Sequence, residues 1–165
     1  MTIDLYLLPF IETFMFKKIL LATDGSPASS NAARLAVDLA RTHGARLTAL
    51  YVVDPYPYLG IGEANPLGFQ AYMSAAHEHA AQAHAKIAEL CKQGGAVELQ
   101  VRRVEDMQAS EGILQAAQEE GSDLIVVGSH GRTGMSRLML GSIAAKVVAQ
   151  SPVPVLVARA DAARG

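Results

Sequence analysis

The chain has 165 residues, 50 % hydrophobic and 18 % charged, which fits one domain with a sizeable core and excludes wholesale disorder. Fourteen Lys and Arg against sixteen Asp and Glu leave a net charge of -2, so no basic field exists to hold DNA or RNA. The single cysteine, Cys91, has no internal disulfide partner and belongs to no CxxC or Cys/His metal spacing.

Residues 1–14 (MTIDLYLLPFIETF) are apolar but shorter than the ~20 residues a membrane span needs. Asp4 precedes the apolar run, Pro9 interrupts it and Glu12 follows, which is not the layout of an export signal. They are expected to be an N-terminal extension, or residues ahead of the start the cell uses. The domain is expected to open at Met15 and run to residue 160, with 161–165 as a tail, in a cytoplasmic protein without membrane contact.

Lys18 to Ala22 is a short continuous apolar run, the mark of a strand buried on both faces. In the turn that follows, Ser26 is placed to cap a helix and Pro27 to fill its first position. Ala32, Leu35, Ala36, Leu39 and Ala40 then recur at three- and four-residue steps, and Gly44 marks a left-handed stop. Arg46 to Val53 is the second strand. Residues 54–70 hold three prolines and three glycines and read as a long loop of the kind that forms lids. Residues 71–93 predict a long helix with the stripe Ala76, Ala80, Ala83, Ile87 and Leu90. Val97, Leu99 and Val101 alternate with polar residues, as in a half-exposed or edge strand. Ser110 to Glu120 is a shorter helix, Asp123 to Val127 another apolar strand, Ser142 to Gln150 a helix, and Val153 to Ala158 the last strand. Strand and helix alternate throughout, which predicts a single-domain α/β fold with an open parallel sheet and helices on both faces. Twenty-eight alanines and no tryptophan suit helices packed close on small side chains. Ligands of such sheets bind beyond the carboxyl ends of the strands, where the strand order reverses.

The loop after the fourth strand runs from Gly128 to Ser142. Gly128 lets a ligand approach the backbone, Gly131 is free to take a positive φ, and Gly141-Ser142 opens a helix whose unpaired N–H groups favour an anion. Arg132 and Arg137 stand between, ready to meet phosphate. This is neither a Walker loop nor GxGxxG, because the ending and the spacing differ. The competing reading is a glycine-rich turn with solvated arginines.

MFKKILLATDGS, DLIVVGSHGRTG and LGSIAAKVVAQSPVPVLV, in this β/α order, resemble the universal stress protein family over residues 15–158. The spacing Gly128-x2-Gly131-x9-Gly141-Ser142 is similar to that of the family's ATP-binding branch. The resemblance implies a Rossmann-like, adenine nucleotide alpha hydrolase-like sheet of five strands in the order 3-2-1-4-5. It implies ATP as ligand, with Mg2+ carried on its phosphates rather than held by protein ligands. Ala22, Thr23 and Asp24 are expected against the adenosine, Val52 at the adenine, and Val127 and Gly128 near the ribose. His130, Gly131 and Arg132 face the phosphates, and Gly141, Ser142 and Ile143 complete the cradle. The family often has proline where this chain has Ala22. A homodimer through strand 153–158 and an unidentified protein partner also follow.

Taken as a turn residue, Asp24 would more often cap a helix; beside the glycine loop it reads as a ligand contact. His77, His79 and His84 cannot share a metal, because helical residues two apart diverge by about 200° and residues seven apart are ~10 Å distant along the axis. Their expected role is a solvated face. His43 sits in a helix-ending turn, where a cation suits the dipole. Cys91 is expected to be buried and inert, Met135 and Met139 to pack, and Arg102-Arg103 to form a polar strand edge. No nucleophile-base-acid set is legible. The expected function is therefore an ATP-dependent regulator in the stress response, not an enzyme, with at most slow ATP hydrolysis. The alternatives are an ATPase or nucleotidyl-transfer enzyme, although ATDGSPASS lacks the SGGxDS-type signature, or a structural dimer without nucleotide.

Overall fold

The computed structural model describes residues 16–56, 66–131 and 140–159. The extension 1–14, the tail 161–165, the segment 57–65 and Arg132 to Met139 of the glycine loop lie outside the described residues. The elements in chain order are β1 (Lys18–Ala22), α1 (Pro27–His43), β2 (Arg46–Val53), α2 (Pro66–Lys92), β3 (Leu99–Glu105), α3 (Ala109–Glu120), β4 (Leu124–Gly128), α4 (Ser142–Gln150) and β5 (Val155–Ala158). The sheet is all-parallel in the order β3-β2-β1-β4-β5.

Alternate residues of the central strands feed opposite layers. Ile19 and Leu21 of β1 meet Leu47, Ala49 and Val126 beneath α1 and α2. Leu20 faces the other way, with Leu50, Ile125 and Val127, beneath α3 and α4. Both layers rest on small helical residues: Ala32, Ala36 and Ala40 on one side, and Ala116, Ala117 and Ala144 on the other. Alanine at those contacts lets a helix settle close to the sheet without loss of side-chain entropy.

Local signals explain the element ends. The Ser26 hydroxyl accepts from the Ser29 N–H at 3.3 Å, and Pro27 follows it, so α1 begins as the sequence predicts. Gly44 adopts φ 62°, ψ 32° and closes α1.

Several expectations shift. Leu35 is 38 % exposed, and the buried stripe of α1 runs instead through Ala32, Ala33, Ala36, Val37 and Ala40. The second helix starts at Pro66, not at residue 71, so the end of the supposed loop is helical. Proline belongs at a first helical turn as well as in loops, which is why that stretch misled. The third strand lies at the edge as expected, but Val97 precedes it and Val101 is 53 % exposed. The last strand starts at Val155, because Ser151 Oγ accepts from the Val153 N–H (3.2 Å) and donates to the Val153 carbonyl (2.7 Å), curling 151–153 into a turn.

The edge carries the expected polar pair. Arg102 bridges Glu119 and Glu120 of α3, the latter at 2.8 Å, and Arg103 meets Glu105 at 2.6 Å. Glu105 in turn holds His77 of α2 at 2.9 Å. Cys91 is buried, and burial pushes its thiol pKa up. His84 of α2 is half-buried, its Nε2 has no hydrogen-bond partner among the described residues, and burial holds its pKa below the ordinary value of 6.5. A histidine that resists protonation in the fold contributes stability that is complete above its unfolded pKa and is lost as the pH falls below it. The urea midpoint is therefore expected to drop between pH 7.5 and 5.5, and to drop less in His84→Gln; equal drops in the two proteins would refute this.

Candidate functional site at the switch point

The order reverses between β1 and β4, and beyond their carboxyl ends lies a cavity of about 500 Å³. Its apolar half is built from the sheet and α3: Ala22, Leu50, Val52, Val127 and Ile113. Its polar half is built from two turns and a helix end: Asp24, Ser129, His130, Gly131 and Ser142.

The first turn is tightly held. The Thr23 N–H donates to the Leu50 carbonyl at 2.9 Å, and the Thr23 hydroxyl accepts from the Gly25 N–H at 3.2 Å. Asp24 is not the cap of α1, since Ser26 takes that role. One carboxylate oxygen of Asp24 accepts from the Ser26 N–H at 3.0 Å. The other faces Gly131, where a Cβ would stand 3.1 Å from it.

The second turn continues β4. The Ser129 N–H donates to the Ala158 carbonyl at 2.7 Å, and its hydroxyl lies 3.0 Å from His130 Nδ1. His130 Nε2 is buried without a hydrogen-bond partner among the described residues, although such atoms normally find one. A ligand in the cavity is the partner that the site has room for.

Helix α4 closes the polar half. The Gly141 carbonyl accepts from the Ala145 N–H at 2.9 Å, so the N–H groups of Ser142, Ile143 and Ala144 have no acceptor within the helix. The Gly141 N–H donates to the Ser129 carbonyl at 2.8 Å, and a Cβ on Gly141 would stand 3.0 Å from that oxygen. Gly141 therefore fastens the helix to β4 and leaves the next three N–H groups to meet an anion. Gly131 differs from expectation: it is not among the positive-φ glycines, and its lack of a side chain makes room for Asp24.

Eleven of the twelve site residues expected from the sequence line this cavity: Ala22, Thr23, Asp24, Val52, Val127, Gly128, His130, Gly131, Gly141, Ser142 and Ile143. Arg132 lies outside the described residues. Asp54, Tyr72, Ala76, His79, Ala109 and Ser129 also line it and were not anticipated. Asp54 directly follows β2 and was reachable from the carboxyl-end rule. Tyr72 and Ala109 carry no local signal, because only the crossovers bring them to the site. The Tyr72 hydroxyl donates to the Asp54 carbonyl at 2.8 Å, joining α2 to the end of β2. Among the described residues, no group of three His, Cys, Asp or Glu is placed to hold a metal ion. Nor is any described helix long and apolar enough to cross a membrane.

Comparison with known proteins adds the lineage. Residues 15–159 match the profile of the universal stress protein family. A universal stress protein from Thermus aquaticus is 40 % identical over 148 residues, covering 88 % of this chain and all of the relative. The solved UspA structure from Lactobacillus plantarum is similar at 30 % identity with a TM-score of 0.68, covering 87 % of this chain and 97 % of that one. A universal stress protein solved in complex with cAMP shares the fold at 24 % identity and a TM-score of 0.67, covering 89 % and 99 % of the two chains.

Proposed function

This chain belongs to the universal stress protein family, and we propose that it binds ATP at the switch point and acts as a nucleotide-dependent regulator in the stress response. The observation that carries this reading is the division of one cavity into an apolar half and a polar half that ends on the start of α4. A flat apolar ring with an anionic tail has that same division. The buried His130 Nε2, without a partner among the described residues, and the close approaches at Gly131 (3.1 Å to the Asp24 carboxylate) and Gly141 (3.0 Å to the Ser129 carbonyl) fit a phosphate chain.

In this reading Ala22, Val52 and Val127 enclose the adenosine, with Thr23 holding the β1 turn in place. Gly128 lets the ribose close on the sheet. His130, Gly131 and the N–H groups of Ser142 and Ile143 receive the phosphates, with Arg132 adding charge. Mg2+ would come with the nucleotide, carried on its phosphates rather than on protein ligands. The sequence offers no nucleophile-base-acid set, and His130, the one candidate base, is read as a hydrogen-bond donor to the phosphates, so the reading is a switch with at most slow hydrolysis. Bound ATP shifts the population between conformers that differ in affinity for a protein partner. The exposed edge of β5 suits a homodimer formed through residues 153–158, since an unpaired apolar edge strand is otherwise an aggregation hazard. We place the domain at 15–160 and the protein in the cytoplasm.

Chromatography of the nucleotide released from freshly purified protein, with calorimetry for ATP, ADP and AMP, tests the reading. ATP is expected to copurify or bind, and Asp24→Ala to weaken it about tenfold through the loosened β1 turn and the altered contact with Gly131. Rapid, Asp24-dependent phosphate release would instead make the protein an ATPase. Absence of any adenine nucleotide binding would leave a dimer without nucleotide.

A further inference from the structure

Helix α3 carries a glycine that its backbone does not require. Gly112 is buried inside the helix, and its N–H donates to the Gln108 carbonyl at 2.9 Å, as any residue's would. It is not among the positive-φ glycines, and the left-handed stop of α3 is Gly121. A glycine in that place weakens a helix relative to alanine, so the reason for it lies in what the helix packs against.

The neighbour is Val52. A Cβ on Gly112 would stand 3.0 Å from both methyl groups of Val52 and 3.5 Å from Cγ1 of Val104, where carbon atoms prefer a separation of ~3.5–4.0 Å. Strand β1 pairs with β2 only as far as Ala22 with Leu50, so Val52 has no strand beside it on that flank, and it lines the large cavity. On the other flank it pairs with Val104 of β3. This end of β2 is therefore held by β3 and by α3, and α3 holds it at Gly112. Ala109 and Ile113, one helical turn apart on α3, line the cavity together with Val52. Gly112 does not line it and acts through these neighbours.

We infer that Gly112 is a positioning residue for the base of the nucleotide: its missing side chain lets α3 close on the end of β2, and that closeness fixes how Val52, Ala109 and Ile113 form the wall on which a flat purine ring lies. The inference rests on the proposal that the apolar half of the cavity receives adenine. A Cβ at residue 112 is relieved in two ways. Val52 is β-branched and stiff about χ1, so its two methyls move together, or else α3 lifts from the sheet. Either change spoils the wall for the ring, whose dispersion contacts are forfeited by gaps of well under 1 Å. The glycine loop and the start of α4, at the phosphate end, are left as they are.

Calorimetry of the full chain with ATP and with AMP, in the wild type, Gly112→Ala, Val52→Ala and the double variant, tests this. Gly112→Ala is expected to weaken ATP and AMP alike, by about tenfold, with their affinity ratio unchanged. Val52→Ala should weaken both about threefold by loss of its own contact. The double variant should bind as Val52→Ala does, about threefold below the wild type rather than about thirtyfold, because the added Cβ no longer meets the Val52 methyls. Should Gly112→Ala fail to fold, the double variant carries the test, since its affinity must still match that of Val52→Ala. Wild-type affinity in Gly112→Ala, a changed ATP-to-AMP ratio, or losses that simply multiply in the double variant overturn the positioning role and leave the ATP site standing. A wild type that binds neither nucleotide overturns both.

Discussion

Gly141→Val is expected to weaken ATP binding by about a hundredfold and to cost about 2 kcal/mol of stability, whereas Gly131→Val should weaken binding with little loss of stability. The two glycines act through different neighbours. A side chain on Gly141 meets the Ser129 carbonyl at 3.0 Å and His130 Cα at 3.5 Å, and backbone has nowhere to go. The start of α4 must lift from β4, breaking the 2.8 Å bond from Gly141 to Ser129 and turning the three N–H groups that have no acceptor within the helix away from the proposed phosphate position. Among the described residues a Cβ on Gly131 meets only the Asp24 carboxylate, which rotates aside at small cost to the fold but spoils the wall of the cavity. Calorimetry with ATP and urea denaturation of each variant separate the two effects. Wild-type affinity in Gly141→Val would show that the helix start does not hold the phosphates.

The largest loss of stability should come from Leu20→Ala, at about 3–4 kcal/mol. Leu20 has no exposed surface and lies in the middle of the central strand, between Thr48 of β2 and Ile125 of β4. The helices above it already approach on Ala116, Ala117 and Ala144. Such short side chains have no reach to close the gap, so most of the cavity remains and its full cost is felt. A urea midpoint shift equivalent to less than about 1.5 kcal/mol would mean that the layer relaxes instead.

Much of this fold was legible in the sequence because its signals are local. The runs at Lys18–Ala22 and Arg46–Val53 are too apolar for anything but buried strands, and Ser26-Pro27 and Gly44 bracket α1 by their own backbone chemistry. The failures came where neighbours decide. Val101 belongs to the apolar set by type, but its strand lies at the margin of the sheet and leaves it open to solvent. Leu35 keeps the helical period, but Val37 takes the place against the core. At the site, the glycines were found by spacing but their reasons were not. Gly131 makes room for a carboxylate rather than adopting a left-handed turn, and Gly141 ties a helix to a strand. Tyr72 was invisible because α2 reaches the site only through a crossover.

A chain with no tryptophan carries its near-ultraviolet emission on tyrosine, and here the described tyrosines are not scattered. Tyr51 and Tyr72 line the large cavity, and the Tyr56 ring lies 5.3 Å from that of Tyr72. The emission of the three described tyrosines is therefore weighted toward the cavity rather than the body of the domain. A purine bound there as proposed would have these rings within reach, and the molecule would report on its own occupancy without a dye.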